Sequence, residues 1–171
     1  MSRFGDQIRG AASPRNWQDA ASAIRRAKGR GASRFIAQEL GISQRQAQRY
    51  LAGQVRKAPH GQDIEDLAEP DWLAADALLE AQALNCGHVE VEYNGKSQGV
   101  RKVGLISVDG EMREAIEAAA AALLDGDESL AEQLLSDGIL GQYSQQNARD
   151  DRHILKGTLK ISGFRTGFNI L

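Results

Sequence analysis

The chain has 171 residues, of which 42% are hydrophobic, enough for one ordinary domain or two small ones with a packed core. Its single cysteine, Cys86, excludes an intramolecular disulfide, no apolar run reaches the roughly 18 residues of a membrane span, and the polar start with Arg3, Asp6 and Arg9 excludes an ordinary signal peptide. The net charge of −2 conceals a division: residues 1–60 hold 12 Lys/Arg against 3 Asp/Glu, and residues 61–171 hold 9 against 20.

That division is the simplest pattern for a protein whose first part meets a polyanion and whose second part repels it. It points to a cytoplasmic, nucleoid-associated protein with no membrane contact. Cys86 reads as a structural thiol.

In chain order, residues up to Arg15 are polar and rich in small side chains, with Pro14 as a stop, and predict a mobile basic arm. Asn16 then stands as an N-cap, and Trp17, Ala20, Ala21, Ile24 and Ala27 recur at helical spacing until Gly29. A second helix is predicted over residues 33–40, with Phe35, Ile36 and Leu40 on its apolar side and Gly41 closing it. Ser43, with Gln46 three residues on, has the form of a capping box and opens a third helix that ends near Gly53. Residues 54–61, with Arg56, Lys57 and Pro59, read as a linker or wing. Residues 63–69 read as a separate helical turn and residues 71–85 as a longer helix.

At His88 the period changes to two. Val89, Val91 and Tyr93 alternate with Glu90 and Glu92, and Asn94-Gly95 is a strong hairpin signal, so a return strand is predicted over residues 99–108. Asp109-Gly110 leads into an Ala-rich helix over 111–124, Asp125-Gly126-Asp127 breaks it, and another helix begins at Glu128. Leu159, Ile161, Phe168 and Ile170 read as one or two closing strands.

The expected fold class is therefore α+β: an N-terminal helix-turn-helix domain followed by a small α+β domain with an antiparallel sheet. The expected division is a basic arm and DNA-binding domain over 1–60, a connecting helical region over 61–86, and an acidic α+β domain over 87–171 for dimerisation, partner contact or priming.

The segment from Ser33 to Ala52 carries the functional reading. Ala37 is small where two helices approach closely, Gly41 stands where the turn needs positive φ, and Ile36, Leu40, Ile42, Ala47 and Leu51 supply apolar contacts. The second helix then presents Ser43, Gln44, Arg45, Gln48 and Arg49 outward. Arg pairs bidentately with guanine and Gln with adenine, so this face suits base edges in a major groove. An ordinary helical hairpin explains the glycine and the apolar pattern, but not an outer face with two Arg, two Gln and no acid. Arg25, Arg26, Lys28, Arg30 and Arg34, with Arg56 and Lys57 in the linker, are the expected phosphate contacts.

Other constellations carry less. Cys86, His88, His60 and His153 do not complete a tetrahedral set. Gly99 and Gly104 form neither a P-loop nor a dinucleotide fingerprint. Asp150, Asp151 and His153 read as a solvated loop, and residues 118–122 as a helix packed closely on strands. No metal, cofactor or independent enzymatic activity is expected.

In its order of elements the chain resembles the terminal proteins of linear actinobacterial plasmids and chromosomes. The resemblance rests on IAQELGISQRQAQRYLAGQVRKAP (Ile36 to Pro59), HVEVEY (His88 to Tyr93) and DGEMREAIEAAAAALLDGDE (Asp109 to Glu128). It implies a protein that binds telomeric DNA and becomes joined to the 5′ end as primer, with a DNA polymerase or a telomere-associated protein as partner. The priming hydroxyl would then be Ser107, between the second strand and the next helix, with Ser97 as the alternative; members of that family often use threonine there. Metal ions and the base would come from the polymerase. The second reading is a dimeric helix-turn-helix regulator of transcription or plasmid maintenance that reads two half-sites of double-stranded DNA.

Overall fold

The computed structural model describes residues 3–14, 16–57, 59–146 and 159–171. The expected mobile arm is instead a helix, α1 (Arg3–Ala11), in which Phe4 and Ile8 are buried, with Ala12 buried just beyond its end. Their four-residue spacing makes a stripe on one helix face, and Phe4 packs on Phe164 with ring centroids 5.3 Å apart. The start of the chain thus belongs to the core of the sheet and not to the basic unit that follows it.

That basic unit is built from α2 (Trp17–Lys28), α3 (Ala32–Leu40), α4 (Gln44–Leu51) and α5 (Gly61–Leu67), with a 3-10 turn at Gly29–Gly31. Asn16 caps α2 as expected, its side-chain oxygen accepting from the backbone N–H of Gln18 and Asp19. Ile24, Ile36, Ala47, Tyr50 and Ile64 fill the core, and Trp17 meets Tyr50 edge-on at 5.8 Å.

The next helix, α6 (Pro70–Glu80), belongs to both cores. Trp72 lies in the basic unit's core, whereas Ala74, Ala75 and Leu78 lie in the core of the sheet. It stops five residues short of the predicted end at 85. Ala81 turns to extended backbone, and the N–H groups of Gln82 and Ala83 donate to the carbonyl of Leu171. A partner far downstream, Leu171, therefore draws residues 83–85 out of the helix and into β1 (Ala83–Tyr93).

β1 is the centre of an antiparallel sheet. On one side it pairs with β2 (Lys96–Ser107), and on the other with β3 (Leu159–Phe164) and the short β4 (Asn169–Ile170). Asn94 (φ 48°) and Gly95 (φ 73°) are both left-handed, as the tight hairpin demands. Leu84, Cys86, Val89 and Val91 are buried in one core with α1, α6, α7 (Gly110–Leu124) and α8 (Glu128–Gln146). A Cβ on Gly138 would stand 2.7 Å from that of Ala115, so α7 and α8 approach too closely there for any larger residue without movement.

The two edges of this sheet differ. Along β3, side chains occupy the outer polar groups: Gln133 donates to the carbonyl of Leu159, Ser136 accepts from the N–H of Ile161, and Gln7 both donates to and accepts from the backbone of Phe164. β2 has no strand beyond it among the described residues. No helix there is long and apolar enough to cross a membrane.

Candidate nucleic-acid interface

The α3–α4 pair is shaped by its turn. Gly41 sits at φ 64°, a left-handed conformation natural to glycine, and the N–H groups of Gly41 and Ile42 both donate to the carbonyl of Ala37. Ser43 then caps α4, its hydroxyl accepting from the N–H of Gln46 at 3.2 Å. The reciprocal half of the expected capping box is absent, because the amide of Gln46 donates to the hydroxyl of Tyr50. Burial of Ala47 and Tyr50 against Ile36 fixes the rotation of α4 about its axis.

With that rotation fixed, Arg45, Gln48 and Arg49 are exposed, and among the described residues their side chains have no hydrogen-bond or ion-pair partner. Gln44 differs from them: its amide donates to the hydroxyl of the buried Ser33, at 3.2 Å, and fastens the start of α4 to the start of α3. After α4, Gly53 at φ 67° reverses the chain, and the N–H of Gln54 donates to the carbonyl of Arg49. The result is an open groove lined by Ser43, Arg45, Gln46, Arg49, Gln54 and Val55. Gln54 was not singled out in the sequence; the available signal was Gly53, whose positive φ folds the following residue back along the helix.

The surrounding cations divide by what they already hold. Residues 16–57 contain nine Lys/Arg against only Asp19 and Glu39. Arg26 is taken up within the molecule, donating to Asp76 at 2.7 Å and Glu80 at 2.8 Å on α6. Lys28 lies over the rings of Trp72 and Phe35, 4.6 and 4.8 Å from their centroids. Arg25, Arg30, Arg34, Arg56 and Lys57 are exposed. Two of the expected phosphate contacts thus serve first to join the basic unit to α6 or to pack its surface.

Ser107 is exposed as the last residue of β2, opposite Ala83 and three residues before α7. Ser97 lies at the other end of the same strand, its hydroxyl accepting from the N–H of Gly99. Among the described residues no three His, Cys, Asp or Glu side chains are grouped to hold a metal ion. His60 contacts Asp63 at 3.1 Å, and burial pushes the Cys86 thiol up to about 12. Asp150, Asp151 and His153 lie outside the described residues. No family model matches the chain, and neither a curated protein nor a solved structure matches it.

Proposed function

We propose that the protein binds double-stranded DNA sequence-specifically, with α3 and α4 acting as a helix-turn-helix and α4 as the reading helix. The observation that carries this reading is the outer face of α4, where Arg45, Gln48 and Arg49 stand exposed and unpartnered beside a groove, in a stretch, residues 16–57, whose only acids are Asp19 and Glu39. Arg45 and Gln48 reach base edges, where a guanidinium donates two hydrogen bonds to guanine and a carboxamide exchanges two with adenine. Arg25, Arg34 and Arg56 meet phosphates and set the register.

The test is selection of bound sequences from a random duplex pool, followed by titration of wild type, Arg45→Ala and Gln48→Ala against the selected site and a scrambled one. The reading requires one enriched sequence and a loss of about 1–3 kcal/mol on that site with little change on the scrambled one. No enrichment, or equal losses on both, would overturn it.

The resemblance to terminal proteins adds a covalent step, supported by the exposure of Ser107. Its Oγ would attack the α-phosphorus of a deoxynucleoside triphosphate, forming a phosphoester as pyrophosphate leaves, with the hydroxyl proton taken by a base of the polymerase. Labelled nucleotide that survives denaturation on wild type and Ser97→Ala, but not on Ser107→Ala, is the expected result. Absence of label in an extract that labels a known terminal protein would leave the dimeric regulator as the reading.

A further inference from the structure

The part of the chain after residue 60 is strongly acidic, yet β2 runs against this trend. It carries Lys96, Arg101 and Lys102 and no Asp or Glu. Lys96 and Lys102 are exposed, and no ion pair engages any of the three among the described residues; the guanidinium of Arg101 donates only to the neighbouring carbonyl of Val100. The acids across the hairpin are differently placed. Glu90 is taken by Arg3 and Arg165, at 3.0 and 3.1 Å, and Glu92, half-buried opposite Ser97, leaves one acid of β1 against the three cations of β2.

β2 is also the sheet's open edge, and the neighbouring turn and first strand residues, 94–99, are all exposed. Cations at positions 101 and 102 project to opposite faces of a strand, so together they flank its edge. An edge with positive charge on both sides and free backbone N–H donors matches the sugar-phosphate backbone of a nucleic acid. A second copy of the same edge is a poor match, because antiparallel pairing would set cations of one β2 among those of the other.

We propose that the β2 edge is a second, sequence-independent contact for the duplex held by α4, touching the phosphate backbone through Lys96, Arg101 and Lys102. This inference rests on the DNA-binding reading above. Because α6 is shared by both cores and Arg26 ties α2 to it, the edge stands at a fixed offset from α4. The extra protection should therefore appear at one constant distance from the sequence that α4 reads.

The experiment is hydroxyl-radical footprinting on the selected site, with affinity measured across a salt series, for wild type, the triple variant Lys96→Gln/Arg101→Gln/Lys102→Gln, and Arg45→Ala. Loss of a separate block of protected phosphates in the triple variant, with the α4 footprint retained and the slope of log affinity against log salt reduced by about two to three, is the expected outcome. The single variant Lys102→Glu should show the same loss in weaker form, and its melting temperature checks that it is folded. If Arg45→Ala abolishes sequence preference while the triple variant leaves footprint and slope unchanged, the edge contact is wrong and the α4 reading stands. If neither affects binding, the α4 reading itself has failed. Self-association of the triple variant with unchanged DNA binding would instead make these cations guards against strand pairing and overturn the proposal.

Discussion

Asp76 on α6 accepts hydrogen bonds from two side chains of α2: Arg26 through Nε at 2.7 Å and Ser22 through its hydroxyl at 3.2 Å. The Asp76 side chain is only 11% exposed, so one nearly buried charge holds the basic unit against the helix it shares with the sheet.

Asp76→Ala should lower stability by about 3 kcal/mol, because it leaves Arg26 without its inner partner at a partly buried site. Glu80→Ala should cost far less, since that carboxylate is mostly exposed at 72%. Urea unfolding of both variants checks the contrast; equal losses would refute it.

The same substitution should have opposite signs at two glycines. Gly41→Ala forces φ 64° on a residue with a Cβ and should destabilise by about 1 kcal/mol, although nothing lies within 4 Å of the added atom. Gly10→Ala, inside α1 with equally open space and no positive φ, should stabilise by about 0.5–1 kcal/mol. Thermal melts of the pair separate backbone strain from crowding.

Acid should loosen the docking of α1. Arg9, with its side chain 12% exposed, donates to Asp71 at 2.7 Å and Glu128 at 3.1 Å, joining α1, α6 and α8. The hydrogen bond from Arg9 holds the Glu128 carboxyl below its ordinary value of 4.5. A lowered folded-state pKa means that the stabilisation is complete above the ordinary value and is lost as pH falls through the lowered one. Glu128→Gln should therefore lower stability at neutral pH and flatten its acid dependence between about pH 5 and pH 2, as read from unfolding midpoints across that range.

Cys86, buried on β1 with its thiol pushed up to about 12, should resist a water-soluble thiol reagent at neutral pH and react fully once the chain is unfolded. Rapid labelling of the native protein would contradict its placement in the core.

Arg25 and Lys28 should part company. Arg25→Ala should reduce the salt slope of DNA binding by about 0.9 without changing the melting temperature. Lys28→Ala should lower the melting temperature, because its ammonium rests on two aromatic faces. Both variants are to be measured by the same salt series and melt.

The helices of the basic unit were legible because their limits are local: Asn16, Gly41 and Ser43 act through neighbours within five residues. The hairpin was legible for the same reason, through Asn94 and Gly95. What the sequence did not disclose depends on distant partners. α1 becomes a helix of the core because Phe164 receives Phe4, and α6 ends early because Leu171 returns to Gln82 and Ala83. In the candidate interface the outward set on α4 was readable from helical periodicity, but its internal division was not. Gln44 is turned to Ser33 and Arg26 to Asp76 by contacts that no spacing encodes.

The side chains that seal β3 also bear on how this protein can assemble. A sheet grows without limit only when both of its edges accept strands, as in a fibril. Here Gln7, Ser136 and Gln133 occupy the outer edge of β3 with side-chain amides and a hydroxyl, whereas β2 has no such cover among the described residues. With β3 sealed by side chains and β2 guarded by its cations, neither edge invites a further strand, and the fold resists growth into a β-polymer.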